Sequence, residues 1–231
     1  MKNNIPFKDI KEIAQLIDHT SLKPTDTPRK IINLVNEAKK WNFKAVCVSP
    51  SYVKLVYEML KDTDIKIATV IGFPLGSNTT ETKVFEAKNA ILNGADEIDM
   101  VINIGRLIAG EYEYVRNEIH SIVEAVEDTL VKVIIETCYL SKEHIVIASK
   151  LAVDAGAAFV KTSTGFGTAG AKVEDIKIIK NTIGDRAKIK ASGGIRDFET
   201  LIKMVNAGAN RIGTSSGVKI IEEAKKYFEG E

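Results

Sequence analysis

Residues 97–137 read EIDMVINIGRLIAGEYEYVRNEIHSIVEAVEDTLVKVIIET. The run opens on a short β-branched segment, Glu97–Asn103, and closes on another, Val131–Thr137, each of strand length. Between them, Glu111–Asp128 carries Val115, Ile119, Ile122, Val123 and Val126 at near-helical spacing, which predicts an apolar stripe on one helix face. Strand, helix and strand within about forty residues make a βαβ unit, with two parallel strands and a crossover helix.

The unit recurs in both directions. Upstream lie the strand candidates Leu16–Thr20, Ala45–Ser49 and Lys66–Gly72; downstream lie Ala157–Ser163, Lys188–Ser192 and Arg211–Thr214. Thr27–Lys40 starts with Thr27 as N-cap and Pro28 at the first helical position, then places Ile31, Ile32, Leu34, Val35 and Ala38 on its stripe. Asp197–Asn206 repeats the design with Asp197 as cap, Leu201, Ile202 and Val205 as stripe, and a stop at Gly208. A doubly wound open sheet and a closed barrel both fit alternating units. Eight regular units in 231 residues, slightly under the ~250 typical of the barrel, favour an α/β fold of the (β/α)8 TIM-barrel type. No linker-like stretch divides the chain, so residues 1–231 are expected to form a single domain. Residues 1–15 are expected to add an N-terminal helix, with Pro6–Gln15 covering the bottom of the barrel.

Composition excludes several classes of function. Thirty-two basic and 31 acidic residues, scattered along the chain, give no basic face for nucleic acid or a membrane surface. No apolar stretch reaches the ~18 residues that span a bilayer, and MKNNIPFKDIKEIAQ has no apolar run of signal-peptide type. Cys47 and Cys138 form no CxxC, and His19, His120 and His144 show no HxH or HExxH spacing, so no metal is expected. The expectation is a cytoplasmic protein in a reducing compartment.

In a barrel the chemistry sits where the strands end, and charges inside strands carry most weight. Asp99 lies between Ile98 and Met100, Lys161 between Val160 and Thr162, Lys190 between Ile189 and Ala191, and Asp18 with Thr20 on one face of strand one. Any one of them alone reads as a structural ion pair or a lysine whose tip reaches water. Together, two lysines and an aspartate, all late in strands of one barrel and converging on one cavity, point to an activated amine. A lysine with a pKa near 10.4 is only about 0.04% neutral at pH 7. A second cation at ~6 Å and an effective dielectric of ~20 costs the charged form roughly 2.8 kcal/mol, about two pKa units. Partial burial adds about another, leaving roughly 30% neutral amine, enough to attack a carbonyl. Which lysine attacks is open at this level. Glu136, at the end of strand five, is a further carboxylate placed to orient a lysine or to form a structural pair.

Two glycine turns suit a phosphate: Ser192-Gly193-Gly194 after strand seven, and Gly213-Thr214-Ser215-Ser216-Gly217 before the helix Val218–Lys226. Gly165–Gly170 matches GxGxxG, but it lies in the sixth unit and lacks the acidic residue at the end of the next strand, so dinucleotide binding is not expected. Cys47 is expected to be a buried, unreactive thiol near the cavity.

The segments IDHTSLKP, AVCVSP, VIGFPLGSNTTETK, EIDMVINIGRL, VIIETCYL, FVKTSTGFG, IKASGGIR and RIGTSSG, in this order from about Leu16 to Gly217, resemble the deoxyribose-phosphate aldolases. The resemblance implies a class I aldolase on a (β/α)8 barrel, working without metal or organic cofactor. It implies Lys161 as the Schiff-base lysine and Lys190 as the second lysine, which depresses its pKa and moves protons. Asp99 would act in carbinolamine formation and breakdown, with Asp18 and Thr20 in the polar network beside it. Cys47 and Leu22 would line the substrate pocket, and Thr164, Gly165, Gly193, Gly194, Gly213, Ser215 and Ser216 would hold the phosphate. The implied substrate is a small sugar phosphate, and the implied assembly a homo-oligomer, dimer or tetramer. Some members carry a lysine near the phosphate where this chain has Phe166, which predicts weaker preference for phosphorylated substrates. Some end in a tyrosine that reaches the site, a role not assigned to Tyr227. Rival readings are a transaldolase or keto-acid aldolase, a phosphosugar isomerase without covalent intermediate, and a non-catalytic sugar-phosphate binder.

Overall fold

In the computed structural model, which describes residues 5–230, eight parallel strands close in sequence order into a barrel. They are β1 (Ile17–Ser21), β2 (Ala45–Val48), β3 (Lys66–Ile71), β4 (Glu97–Val101), β5 (Leu130–Ile134), β6 (Phe159–Lys161), β7 (Lys188–Ser192) and β8 (Arg211–Thr214). The helices are α1 (Ile10–Ala14), α2 (Pro28–Trp41), α3 (Val53–Leu60), α4 (Thr80–Leu92), α5 (Ile104–Ile108), α6 (Tyr112–Ala125), α7 (Lys142–Asp154), α8 (Val173–Ile183), α9 (Phe198–Asn206) and α10 (Gly217–Glu229). β8 closes on β1 with Ile17 opposite Ile212 and Asp18 opposite Gly213. That register brings the two ends of the chain's barrel together at an aspartate and a residue with no side chain.

The strands are short, bounded and buried, and the expected ends stand within three residues of the observed ones, with Lys188–Ser192 and Arg211–Thr214 matching at both ends. β6 is the most shortened, to Phe159–Lys161. The Ala157 amide is already taken by Ala152 O at the end of α7, and beyond Lys161 the Thr162 amide donates to Lys190 O of β7 while Thr162 O accepts the Thr137 amide from the loop after β5. α2 follows its sequence closely. Thr27 caps it by accepting the Lys30 amide, and Ile31, Leu34, Val35 and Ala38 are buried against the barrel. Each of the larger of these contributes roughly 1.5–3 kcal/mol, so Val35→Asp would strip this helix from the sheet. Ile32 belongs to the expected stripe but is exposed, since it falls between the buried rows.

The N-terminal extension is less helical than expected. Of Pro6–Gln15 only Ile10–Ala14 forms a helix, started by Asp9, whose carboxylate accepts the Lys11 and Glu12 amides; residues 1–4 of the expected 1–15 helix lie outside the described residues. The helix is at the strand N-termini, as expected for a bottom cover. Ala14 O accepts the Lys44 amide just ahead of β2, and Ile13 is fully buried.

One buried charge pair lies outside the barrel. Lys83 of α4 donates to Glu118 of α6 (2.8 Å), to Gly76 O (2.8 Å) and to Val101 O (2.9 Å), while Glu118 also accepts the Asn103 amide. It fastens two helices to the loops that leave β3 and β4. Among the described residues no helix is long and apolar enough to cross a membrane.

Candidate active site

Side chains alternate across each strand, so residues two apart share the barrel interior. That rule points Asp18 (β1), Cys47 (β2), Asp99 (β4), Lys161 (β6) and Lys190 (β7) at one another, all of them buried. Lys161 Nζ and Lys190 Nζ each lie 2.7 Å from the same oxygen, Asp99 Oδ2. Lys190 also pairs with Asp18 Oδ2. The four charges expected from the sequence therefore form one contiguous cluster.

Three further charges belong to it and were not among the expected residues. Lys132 of β5 lies 2.7 Å from Asp99 Oδ1 and 2.6 Å from Glu97 Oε2. Arg211 of β8 lies 2.7 Å from Asp18 Oδ1 and 3.3 Å from Glu97 Oε2. Lys132 stands between Val131 and Val133, so the criterion that selected Lys161 and Lys190 selects it equally. Glu97 and Arg211 open their strands and read as ends.

The two lysines differ in environment. Lys190 is held by two carboxylates, and although burial opposes its charge, Asp18 and Asp99 together push its pKa up. Lys161 has one carboxylate. Burial is the largest influence on it; Asp99 opposes, Lys190 reinforces, and the net shift is downward. The sequence reading gave the second cation the leading part, whereas desolvation leads here. Burial raises the Asp18 carboxyl, but Lys190, Lys132 and Arg211 bring it down to about 2. Burial raises Asp99 as well, and Lys132, Lys161 and Lys190 overcome it, leaving the group ionised well below the usual range.

Above the cluster a cavity of about 730 Å³ opens at the C-terminal ends of the strands. Lys161 reaches its wall; Lys190, Asp99 and Asp18 lie beneath. Thr20, Leu22, Thr164, Gly165, Gly193, Gly194, Gly213 and Ser215 line the cavity. Ser216 does not; its amide is bonded to Thr214 Oγ1 at the start of α10. Cys47 sits behind the wall in an apolar cluster with Ala68 and Val70, and burial pushes its thiol pKa up. Thr20 turns its hydroxyl to Asp18 O (2.8 Å), back along its own strand.

The glycines have distinct causes. Gly193 and Gly194 have φ of 84° and 79°, where a side chain is strained, and a Cβ on Gly193 would come 2.9 Å from Gly170 Cα. Gly213 is needed for a different reason: a Cβ there would lie 3.0 Å from Lys190 Cε, so this glycine leaves room for the lysine. Gly170, the last glycine of the GxGxxG match, packs on the Gly193 carbonyl and lets two loops touch.

Glu136 orients no lysine. Its carboxylate accepts the Thr164 amide (3.2 Å to each oxygen) and the Thr164 hydroxyl, fixing the loop that follows Lys161. Thr164 is therefore turned to Glu136, and Gly165 beside it faces the cavity with no such commitment. Phe166 meets Phe73 edge-on at 5.3 Å between centroids, on the cavity wall. Lys23 and Arg196 line the same cavity. Among the described residues no group of three or more His, Cys, Asp or Glu side chains is placed to hold a metal ion.

A buried lysine shifted toward the amine, opening on a cavity with glycine turns at its rim, is the equipment of an imine-forming barrel enzyme. The curated relatives agree. The chain is 54% identical over 222 residues to a deoxyribose-phosphate aldolase of Caldanaerobacter subterraneus subsp. tengcongensis, covering 95% of this chain and 96% of the relative. It is 56% identical over 218 residues to one of Thermococcus kodakarensis, covering 93% and 97%. A solved structure of the deoxyribose phosphate aldolase from Aeropyrum pernix, described as a unique tetramer, superposes with a TM-score of 0.88 at 33% identity over 95% of this chain and 93% of that one. The family model of the DeoC/LacD family aldolases matches residues 12–223, a span that holds all eight strands and both glycine turns, and the chain belongs to that family.

Proposed function

We propose that this chain catalyses the reversible aldol cleavage of 2-deoxy-D-ribose 5-phosphate to acetaldehyde and D-glyceraldehyde 3-phosphate. The observation that carries this reading is the asymmetry of the two lysines. Lys161 reaches the cavity and is biased toward the free amine, whereas Lys190 lies beneath it and is held as an ammonium by two carboxylates.

In the cleavage direction Lys161 Nζ attacks the aldehyde carbon of the open-chain sugar. Lys190 is the nearest group able to supply a proton, and Asp99, bonded to both lysines, relays it as the carbinolamine loses water. The resulting iminium is the electron sink. Removal of the proton from the β-hydroxyl breaks the adjacent carbon–carbon bond, releases the phosphorylated aldehyde and leaves an enamine on Lys161. Protonation of the enamine carbon and hydrolysis then return acetaldehyde and the free lysine. Gly165, Gly193, Gly194 and Ser215, with the start of α10, offer backbone amides and a hydroxyl for the phosphate. Asp18 fixes Lys190, and Thr20 and Leu22 shape the wall.

We further propose that the chain is one barrel domain acting in the cytoplasm as a homo-oligomer. The tetrameric relative and the exposed Phe85 and Leu92 on α4 support assembly, and two unpaired cysteines suit a reducing compartment.

Borohydride reduction in the presence of 2-deoxyribose 5-phosphate, followed by peptide mass mapping, tests the mechanism. The expected result is a substrate-dependent adduct on Lys161. An adduct on Lys190 reverses the two lysine roles. Activity that survives with no adduct on either lysine removes the Schiff base and favours a phosphosugar isomerase.

A further inference from the structure

The lowest carboxylate of the cluster touches neither the cavity nor the two lysines assigned to the reaction. Glu97 opens β4 and points into the barrel two residues below Asp99. Its Oε2 lies 2.6 Å from Lys132 Nζ and 3.3 Å from Arg211 Nη1. Lys132 passes the contact upward to Asp99 Oδ1 (2.7 Å), and Arg211 to Asp18 Oδ1 (2.7 Å). Each upper aspartate is therefore gripped from below by a cation that Glu97 holds, which leaves its other oxygen for Lys190 and, on Asp99, for Lys161.

The titratable groups facing this interior are Asp18 on β1, Cys47 on β2, Asp99 on β4 beside Glu97, Lys132 on β5, Lys161 on β6, Lys190 on β7 and Arg211 on β8. β3 contributes Ala68 and Val70, which do not titrate; lower on the same faces, Lys66 of β3 is exposed and pairs with Asp96 (3.6 Å), and Lys188 of β7 is exposed over the Phe159 ring. Four cations thus meet three carboxylates. Without the charge of Glu97 they would meet two, and the ammonium form of Lys161 would be disfavoured further.

We propose that Glu97 is a positioning residue for the chemistry at Lys161: it pins Lys132 and Arg211 beneath the two aspartates and, through this lower tier of charge, governs the proton affinity of the nucleophile. The inference rests on the Schiff-base reading above. One strand repeat separates Glu97 from Asp99, about 7 Å along the strand. A unit charge at ~9 Å from Lys161 and an effective dielectric of ~20 corresponds to a shift of about one pH unit. The sign follows from the charge: losing an anion lowers the pKa of an ammonium.

The test is the pH dependence of imine formation at Lys161. Acetaldehyde is the probe, cyanoborohydride the trap, and the Lys161 adduct is quantified by mass. In Glu97→Gln the acid limb is expected to move about one pH unit lower, and in Glu97→Asp, which keeps the charge, to return toward the wild-type position. Thermal melts run alongside separate packing from charge. An acid limb of Glu97→Gln that coincides with wild type while only the melting temperature falls overturns the proposal. Should Glu97→Gln fail to fold, Lys132→Gln removes one of the held cations and must move the limb to higher pH; an unmoved limb there overturns it equally. A wild-type enzyme that gives no adduct removes the Schiff-base reading, and this inference with it, whereas a titrating wild type with an indifferent Glu97→Gln refutes the inference alone.

Discussion

Lys83 and Lys161 are both buried lysines bonded to a carboxylate, Lys83 at 2.8 Å from Glu118 and Lys161 at 2.7 Å from Asp99. In both, burial is the largest influence on the ammonium and the net shift is downward. Lys83 meets its carboxylate one to one. All three of its ammonium protons are used, by Glu118, Gly76 O and Val101 O, and it does not line the cavity above the cluster. Lys161 shares its aspartate with Lys132 and Lys190, and it reaches the cavity wall. Burial alone therefore does not make a lysine a nucleophile. Crowding by other cations, unspent donors and access to a substrate distinguish the reactive one.

The sharpest break of this comparison is to remove each ammonium in turn. Lys161→Met is expected to keep the fold, because it deletes one cation from a cluster with a cationic excess. It should lower kcat/KM for 2-deoxyribose 5-phosphate cleavage by about 10⁴-fold or more, since the covalent route is lost entirely. Coupled detection of the released glyceraldehyde 3-phosphate measures this. A loss below about tenfold would show that Lys161 does not carry the reaction.

Lys83→Met reverses the pattern. It leaves Glu118 buried with no cation and frees the carbonyls of Gly76 and Val101, so stability should fall by about 3–5 kcal/mol in denaturant unfolding. Activity per folded molecule should stay within a few-fold of wild type, because no contact to the cluster is removed. Replacing Glu118 by Leu at the same time should recover much of the stability. If the single variant proves as stable as wild type, the pair is not the fastener that its hydrogen bonds describe.

The same contrast explains what could be read from the chain before folding. Strands of a closed parallel barrel are buried on both faces, so a charge flanked by Val or Ile stands out, and Asp18, Asp99, Lys161 and Lys190 were legible for that reason. The resemblance to known aldolases, carried by FVKTST and IKASGG, separated the roles of the two lysines. Lys132 offered the same local signal in VKVII, but Glu97 and Arg211 begin their strands, where a charge ordinarily reaches solvent. Their partnership needs barrel closure, since Arg211 and Asp18 are 193 positions apart. Lys83 was invisible for another reason. In TETKVFEAKNAIL a lysine reads as a solvated helix position, and only the packing of α4 on α6 turns it inward with Ala87 and Ala90. Helix caps such as Thr27 and Asp197 were legible because they are local; the tether from Glu136 to Thr164 was not, because it spans two strand ends.

The smallest expected effect lies at the rim, where the comparison between buried and exposed charge can be tested at one position. Phe166 is about half exposed, edge-on to Phe73, and lines the cavity near the glycine turns. A lysine there would face solvent, unlike Lys161, and its attraction for a phosphate would be screened. Exposed ion pairs contribute about 0.2–1 kcal/mol, so Phe166→Lys should raise the preference for phosphorylated over unphosphorylated deoxyribose by no more than about fivefold in kcat/KM. The gain should shrink as salt is added, because the charge is within reach of counterions. Lys23 and Arg196 already line this cavity, which limits what one more cation adds. A hundredfold rise that persists in high salt would mean that the rim is desolvated when substrate binds, and that its charges then act with the strength of those below.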